Sequence, residues 1–185
     1  MLYHQLKQIR GQLRRREMKV SDALLITSRY LRERMPPERL IWLNRELLGY
    51  RKDDLAGLYE KPRFPQLSMF LPQPKKFELE VPSYRFLNGG WGTLDDSGKL
   101  VCIKAPHLLE RNIFCNIGIQ QIETQLEEMD EPSTSLFSMS ADEATGAEFY
   151  CWSSELVRVY DSVRTKLCEF IETVIDELKL APNER

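Results

Sequence analysis

Val159, Val163, Leu167, Phe170, Val174 and Leu178 restrict the possible folds of this chain more than any other feature. Their spacings of four, four, three, four and four keep one side of a helix apolar for about 25 residues. A helix that long with one apolar side needs other elements to cover it. What can cover it lies upstream.

Leu2, Leu6, Ile9 and Leu13 line one face of a first helix, which the central Gly11 weakens only modestly. Ser21 reads as the N-cap of a second helix, with Ala23, Leu24, Thr27, Tyr30 and Leu31 turned inward. Pro36-Pro37 stops it. Pro37 suits the first position of a third helix, in which Leu40, Leu43 and Leu47 form the stripe, Trp42 and Leu48 flank it, and Gly49 ends it. Residues 1–50 are thus expected to be an antiparallel helical lobe.

Residues 51–82 read as a Pro-rich connector, because Pro62, Pro65, Pro72, Pro74 and Pro82 deny it a long helix or a central strand. Its anchors, among them Phe64, Phe70 and Leu71, are too apolar for a solvated linker and are expected to pack on a neighbouring element or a partner. Phe77, Leu79 and Val81 alternate with glutamates as in a short strand. Residues 83–152 form a mixed β/α region. Asn88-Gly89-Gly90-Trp91-Gly92 reads as a glycine-rich turn, Asp95 to Gly98 as a loop, Leu100 to Lys104 as a strand, and Pro106 to Glu110 as one helical turn. Ile119, Ile122 and Leu126 mark a short helix. Ser135–Ser140 and Glu148–Trp152 form a hairpin about Ala144-Thr145-Gly146, and Ser153 or Ser154 caps the long helix, 153–180. The expected fold is α+β, a single domain over 1–185, with the N-terminal helical lobe and the long C-terminal helix packed with a small β-rich middle layer.

The net charge of −2 conceals a division along the chain. Residues 1–52 hold 13 Lys+Arg against 5 Asp+Glu, or +8, and residues 53–185 hold 13 against 23, or −10. Lys7, Arg10 and Arg14 fall on one flank of the first helix, Arg15 and Arg16 follow at its end, and Arg29, Arg32, Arg34, Arg39 and Arg45 extend the field. Guanidinium groups in such a field can meet nucleic-acid phosphates or acidic protein surface. With −10 available in the same molecule, protein contact is the favoured outcome. Lys7, Arg10, Arg14, Arg15, Arg16, Phe64, Phe70 and Leu71 are the candidate contact residues.

No apolar run approaches the roughly 18 residues of a membrane span, and the first residues lack the apolar core of a secretory signal, so a cytoplasmic protein without membrane contact is expected. Cys102, Cys115, Cys151 and Cys168 include no CxxC pair, and two histidines add little, so neither a zinc site nor a disulfide framework is expected.

Enzymatic motifs fail on their spacing. In GTLDDSGK, Gly92 to Lys99, five residues separate the glycines where a phosphate loop needs four, and Leu100 stands where a Ser or Thr would hold magnesium. Gly90-Trp91-Gly92 lacks the third glycine of a dinucleotide fingerprint. His107 with Cys102 or Cys115 is the one Cys-His pairing close in sequence, and both cysteines lie in apolar runs that suit buried thiols. Neither histidine has an arginine five to seven positions before it, so the Rx4–6H spacing of a nucleolytic helical dimer is absent. The acidic pairs Asp95/Asp96, Glu127/Glu128 and Asp142/Glu143 suit solvated loops. No catalytic residue, cofactor or metal is therefore expected.

Three phrases carry a family resemblance: Ser21-Asp22-Ala23-Leu24-Leu25, then Trp42-Leu43-Asn44-Arg45-Glu46-Leu47-Leu48-Gly49-Tyr50, then Pro82-Ser83-Tyr84-Arg85. With Ser162-Val163-Arg164 inside the last helix, the chain resembles the AbiTii domain of bacterial abortive-infection proteins over nearly its whole length. The resemblance implies a role in defence against phage as one component of a larger system, as a protein interaction, sensing or regulatory module with another defence protein or a second copy as partner. It supplies no active site. The alternatives are a nucleic-acid-binding regulator, or a toxin-like nuclease or nucleotide-processing enzyme using Arg14, Tyr84, Arg85, Asp95, Asp96 and His107.

Overall fold

A computed structural model describes residues 2–51, 81–103, 108, 111–129 and 135–180. It is α+β, as expected. Helices α1 (Leu2–Arg14), α2 (Val20–Leu31) and α3 (Pro37–Leu48) precede a 3-10 turn at Ser83–Arg85. Strands β1 (Phe86–Leu94), β2 (Leu100–Cys102) and β3 (Asn112–Phe114) follow, then α4 (Ile119–Glu128), the hairpin β4 (Leu136–Asp142) and β5 (Ala147–Trp152), and the long helix α5 (Ser153–Leu180). Among the described residues no helix is long and apolar enough to cross a membrane. Phe64, Phe70 and Leu71, with the rest of 52–80 and the helical turn expected at Pro106–Glu110 apart from Leu108, lie outside the described residues.

The long apolar stripe finds its cover inside the chain. Leu156, Val159, Val163, Leu167, Ile171, Val174 and Ile175 of α5 are buried and share one core with Leu6 and Leu13 of α1, Leu24 and Leu31 of α2, Leu43 of α3 and Ile119 and Ile122 of α4. Leu87, Phe149 and Cys151 on the inner face of the sheet close this core, where Trp91 meets Phe149 edge-on at 5.6 Å. Truncating one such leucine costs about 2–5 kcal/mol. The buried face is also broader than that spacing: Ile171 is buried and Phe170 lies partly buried against the same core, because the lobe and the sheet cover a wide arc of the helix.

The five strands are antiparallel in the order β2-β1-β5-β4, with β3 also on β1. Gly89 N–H donates to Arg111 O at 2.9 Å and Ile103 N–H to Trp91 O at 3.0 Å, so β2 and β3 lie along the same edge of β1. Gly92 opposes Cys102 and Asn88 opposes Asn112: ten steps of chain on one side span four on the other, and the edge is interrupted there. In the hairpin, Ser138 opposes Tyr150 while Ser140 opposes Phe149, leaving Met139 as the extra residue of a bulge. Asp142 accepts hydrogen bonds from the Thr145 N–H and hydroxyl, and Gly146 turns the chain at φ 67°.

Four local expectations are corrected. Asn88 to Gly92 is the centre of the longest strand, not a turn. Gly89 and Gly92 serve close approach: a Cβ on Gly89 would stand 2.6 Å from the Phe149 ring. Ser21 does not cap α2, which begins at Val20 with Lys19 before it and no side-chain cap of its own. Ser153 opens α5 with its hydroxyl buried and without a protein partner, so it caps nothing. The strand expected at Leu100–Lys104 runs only to Cys102.

Candidate functional site

Glu46 occupies the inward face of α3, one helical turn from Leu43, and is fully buried. A carboxylate there must be paired or its desolvation unfolds the site. Arg85, also fully buried, reaches it from the 3-10 turn: Nε donates to Oε2 at 3.1 Å, and Nη2 donates to the same oxygen. Oε1 accepts from the hydroxyls of Tyr50 at 2.7 Å and Tyr84 at 2.8 Å. Trp42 Nε1 donates to the Tyr84 hydroxyl at 3.0 Å, and Arg85 Nη1 donates to the carbonyl of Ile117 at 2.6 Å. Both carboxylate oxygens are thereby saturated by protein donors.

The electrostatics follow from that enclosure. Burial, followed by the Glu46 charge, pushes the Tyr50 and Tyr84 phenols far up, so both remain donors across the physiological range. Burial opposes the Arg85 charge, but Glu46 outweighs it and holds the guanidinium above its ordinary value. Gly49 makes the geometry possible. At φ 92° it ends α3 with its N–H on Arg45 O at 2.8 Å, and a Cβ there would stand 2.6 Å from Asn116 O. Tyr50 then donates its N–H to Asn116 O at 2.8 Å and lays its ring edge-on to Phe114 at 5.1 Å.

A second buried carboxylate explains how α2 begins. Glu123 of α4 accepts from the Ser21 N–H at 3.1 Å, from the Ser21 hydroxyl, and from the Tyr160 hydroxyl at 2.9 Å. It caps the positive end of α2 from another helix. On the far side of the core, Arg158 of α5 donates to the carbonyls of Tyr84 at 3.1 Å and Phe86, and to Glu155 at 2.9 Å. It fixes the turn that presents Arg85.

The basic residues of the lobe meet acids of α5. Arg10 and Arg14 both reach Glu172, at 2.7 and 3.1 Å. Arg16 reaches Asp161 at 3.3 Å, and Arg39 makes two bonds to Glu177, at 2.8 and 2.9 Å. Lys19 reaches Glu127 of α4 at 2.6 Å. Arg15 turns back to Glu17 at 2.7 Å, and Lys7 lies over the Tyr3 ring at 4.5 Å. The division of charge along the sequence is thus closed, in part, within the fold.

The residues weighed for an enzyme do not gather. Tyr84 and Arg85 belong to the Glu46 cluster, and Arg14 to the α1–α5 contact. Asp95 ties its own exposed turn, accepting from the N–H and hydroxyl of Ser97 and the N–H of Lys99, while His107 lies outside the described residues. Among the described residues no three of His, Cys, Asp and Glu gather as a metal set. Cys115 is buried, and burial pushes its thiol up. Cys102, expected buried, is exposed, because it faces Gly92 across the ladder at the sheet edge, where a glycine offers no side chain to cover it.

The sequence assigns neither Glu46 nor Glu123 a role of its own, yet for Glu46 one signal is present. Leu43, Glu46 and Tyr50 follow the three-four spacing of an inward stripe, so a charge on that face demands a buried cation. No family model, no curated protein and no solved structure matches this chain.

Proposed function

We propose that this protein is an interaction module of a bacterial antiphage system of the abortive-infection type, working by surface contact with another defence protein or a second copy. One observation carries the reading. The distinctive phrase residues Trp42, Glu46 and Tyr50 and the Tyr84-Arg85 pair use their polar groups on one another in a buried cluster. Groups so saturated hold α3 to the 3-10 turn that precedes β1 and are not free to act as base, nucleophile or metal ligand. What remains for function is the surface, where Leu48 and Trp152 stand 74% and 54% exposed.

Light scattering on the purified chain, alone and co-expressed with the products of neighbouring genes, tests the proposal. A stable homo-oligomer or a complex with such a product is the expected result. A strict monomer that joins none of them overturns it. So does metal-dependent degradation of RNA, DNA or nucleotides that Asp95→Ala with Asp96→Ala abolishes in a folded protein, which is the enzyme's signature.

A further inference from the structure

A groove of about 460 Å³ runs between the end of α1 and the middle of α5, lined by Arg14, Arg16, Asp161, Arg164, Cys168 and Glu172 among others. Three guanidinium groups line it, those of Arg14, Arg16 and Arg164: Asp161 serves Arg16 and Arg164, and Glu172 serves Arg14 and also Arg10, which stands outside the lining. Glu169 on the rim is already paired with Lys166 at 2.8 Å. The lining thus holds three arginines and three carboxylates, and the outside partners Arg10 and Lys166 offset two of those carboxylates, so that the five cations of the groove and its border stand against three anions.

The arginines differ in how firmly they are held. Arg14 and Arg16 have side chains 56% and 70% exposed, each on a single ionic contact. Pairs of that kind hold weakly in water, so these two can turn to another anion. Arg164 is fixed: its side chain is 13% exposed, its guanidinium lies 4.8 Å from the Tyr160 ring centre, and its Nε has no protein acceptor. Cys168 is mostly buried, and burial keeps its thiol up against the pull of Arg14, Arg10 and Arg164, so the groove has a neutral residue among its charges.

Arg16 has a second distinction. It is the residue with positive φ, 59°, that closes α1, donating to Leu13 O while Glu17 donates to Gln12 O. Glycine ordinarily fills that place, because a Cβ is disfavoured there. The chain carries an arginine instead, and its side chain reaches across to α5.

We propose that this groove binds a dianionic phosphate group, as carried by a small phosphomonoester, with Arg14 and Arg16 turning onto its oxygens beside the fixed Arg164. Guanidinium forks match phosphate oxygens in pairs, and the volume suits a ligand of mononucleotide size. The two carboxylates hold the arginines together when the groove is empty and oppose the ligand when it is full. This goes beyond the interaction role and does not depend on it.

Calorimetry at low salt with inorganic phosphate, AMP, adenosine and a short single-stranded oligonucleotide lacking a terminal phosphate tests it. Phosphate and AMP are expected to bind saturably at one site per chain, and adenosine is not. Arg16→Gly is expected to weaken AMP by about fivefold with the melting temperature unchanged or raised, since glycine suits the backbone there. Arg14→Ala weakens it in the same direction. Glu172→Gln is expected to tighten it, and Asp161→Asn gives the same reading should that variant lower the melting temperature. Absence of saturable binding by both phosphate and AMP, equal binding of adenosine, or unchanged affinity in Arg16→Gly and Arg14→Ala overturns the proposal. Binding of the oligonucleotide alone also overturns it, and assigns the face to nucleic acid.

Discussion

Glu46 and Arg85 are fully buried, whereas Glu172 stands 46% exposed between Arg10 at 22% and Arg14 at 56%. Both systems join a helix of the lobe to a later part of the chain, and both use arginine with glutamate. Their surroundings give them different work. Around Glu46, every donor is supplied by protein and no water competes, so one geometry is enforced. Around Glu172, solvent screens each contact, and the pairs bias the packing of α1 on α5 without dictating it. The buried cluster specifies the fold, and the surface cluster leaves its arginines available.

The contrast can be broken at several points. Arg85→Met strands the Glu46 carboxylate and is expected to lower stability by about 3–5 kcal/mol in urea denaturation. Adding Glu46→Gln to it removes the stranded charge but keeps an acceptor for the Tyr50 and Tyr84 hydroxyls, and is expected to recover part of that loss; a double variant as unstable as the sum of its parts would mean the two groups are not coupled. Glu123→Ala removes the cap that α4 lends to α2 and is expected to cost about 1–3 kcal/mol in the same assay. Tyr84→Phe leaves the Trp42 N–H without its acceptor and is expected to cost about 1 kcal/mol. Arg14→Ala is expected to cost less than about 1 kcal/mol, and the difference from the parent should vanish at high salt.

The pH dependence gives the finest test. Burial pushes Glu155 up, but the hydrogen bonds from Arg158 and Asn88 outweigh it and hold its carboxyl below the ordinary carboxylate range. A depressed folded value means the stabilisation is present above the unfolded pKa and lost as pH falls through the folded one. Acid unfolding of Glu155→Gln should therefore lack that component. An unchanged acid profile would place Glu155 with the screened surface groups.

The helices were legible because burial imposes a period on apolar residues: Leu2, Leu6, Ile9 and Leu13 are all buried, as their spacing demands. The hairpin was legible from its turn residues. Asn88 to Gly92 was not, because glycines such as Gly89 and Gly92 that let a neighbouring strand approach look, in sequence, like glycines that bend a chain. Ser21 misled for a related reason. A hydroxyl near a helix start is usually its cap, and here it bonds a carboxylate roughly 100 residues later. The buried cluster was half visible: the Trp42 to Tyr50 phrase and Tyr84-Arg85 stood out as words, but their meeting depends on a fold that brings α3 to the turn at Ser83–Arg85. Pairing between distant charges leaves no mark on local spacing.

The packing of α1 on α5 has a consequence for how this chain acquires its structure. Arg10 and Glu172 meet across 162 positions, and the apolar face of α1 shares its core with that of α5. A ribosome therefore releases α1 long before its cover exists, and the lobe must wait, with Leu6 and Leu13 lacking their final cover, until α5 has been made. Contacts so far apart in sequence carry a large loop-closure cost and slow the step that closes the core.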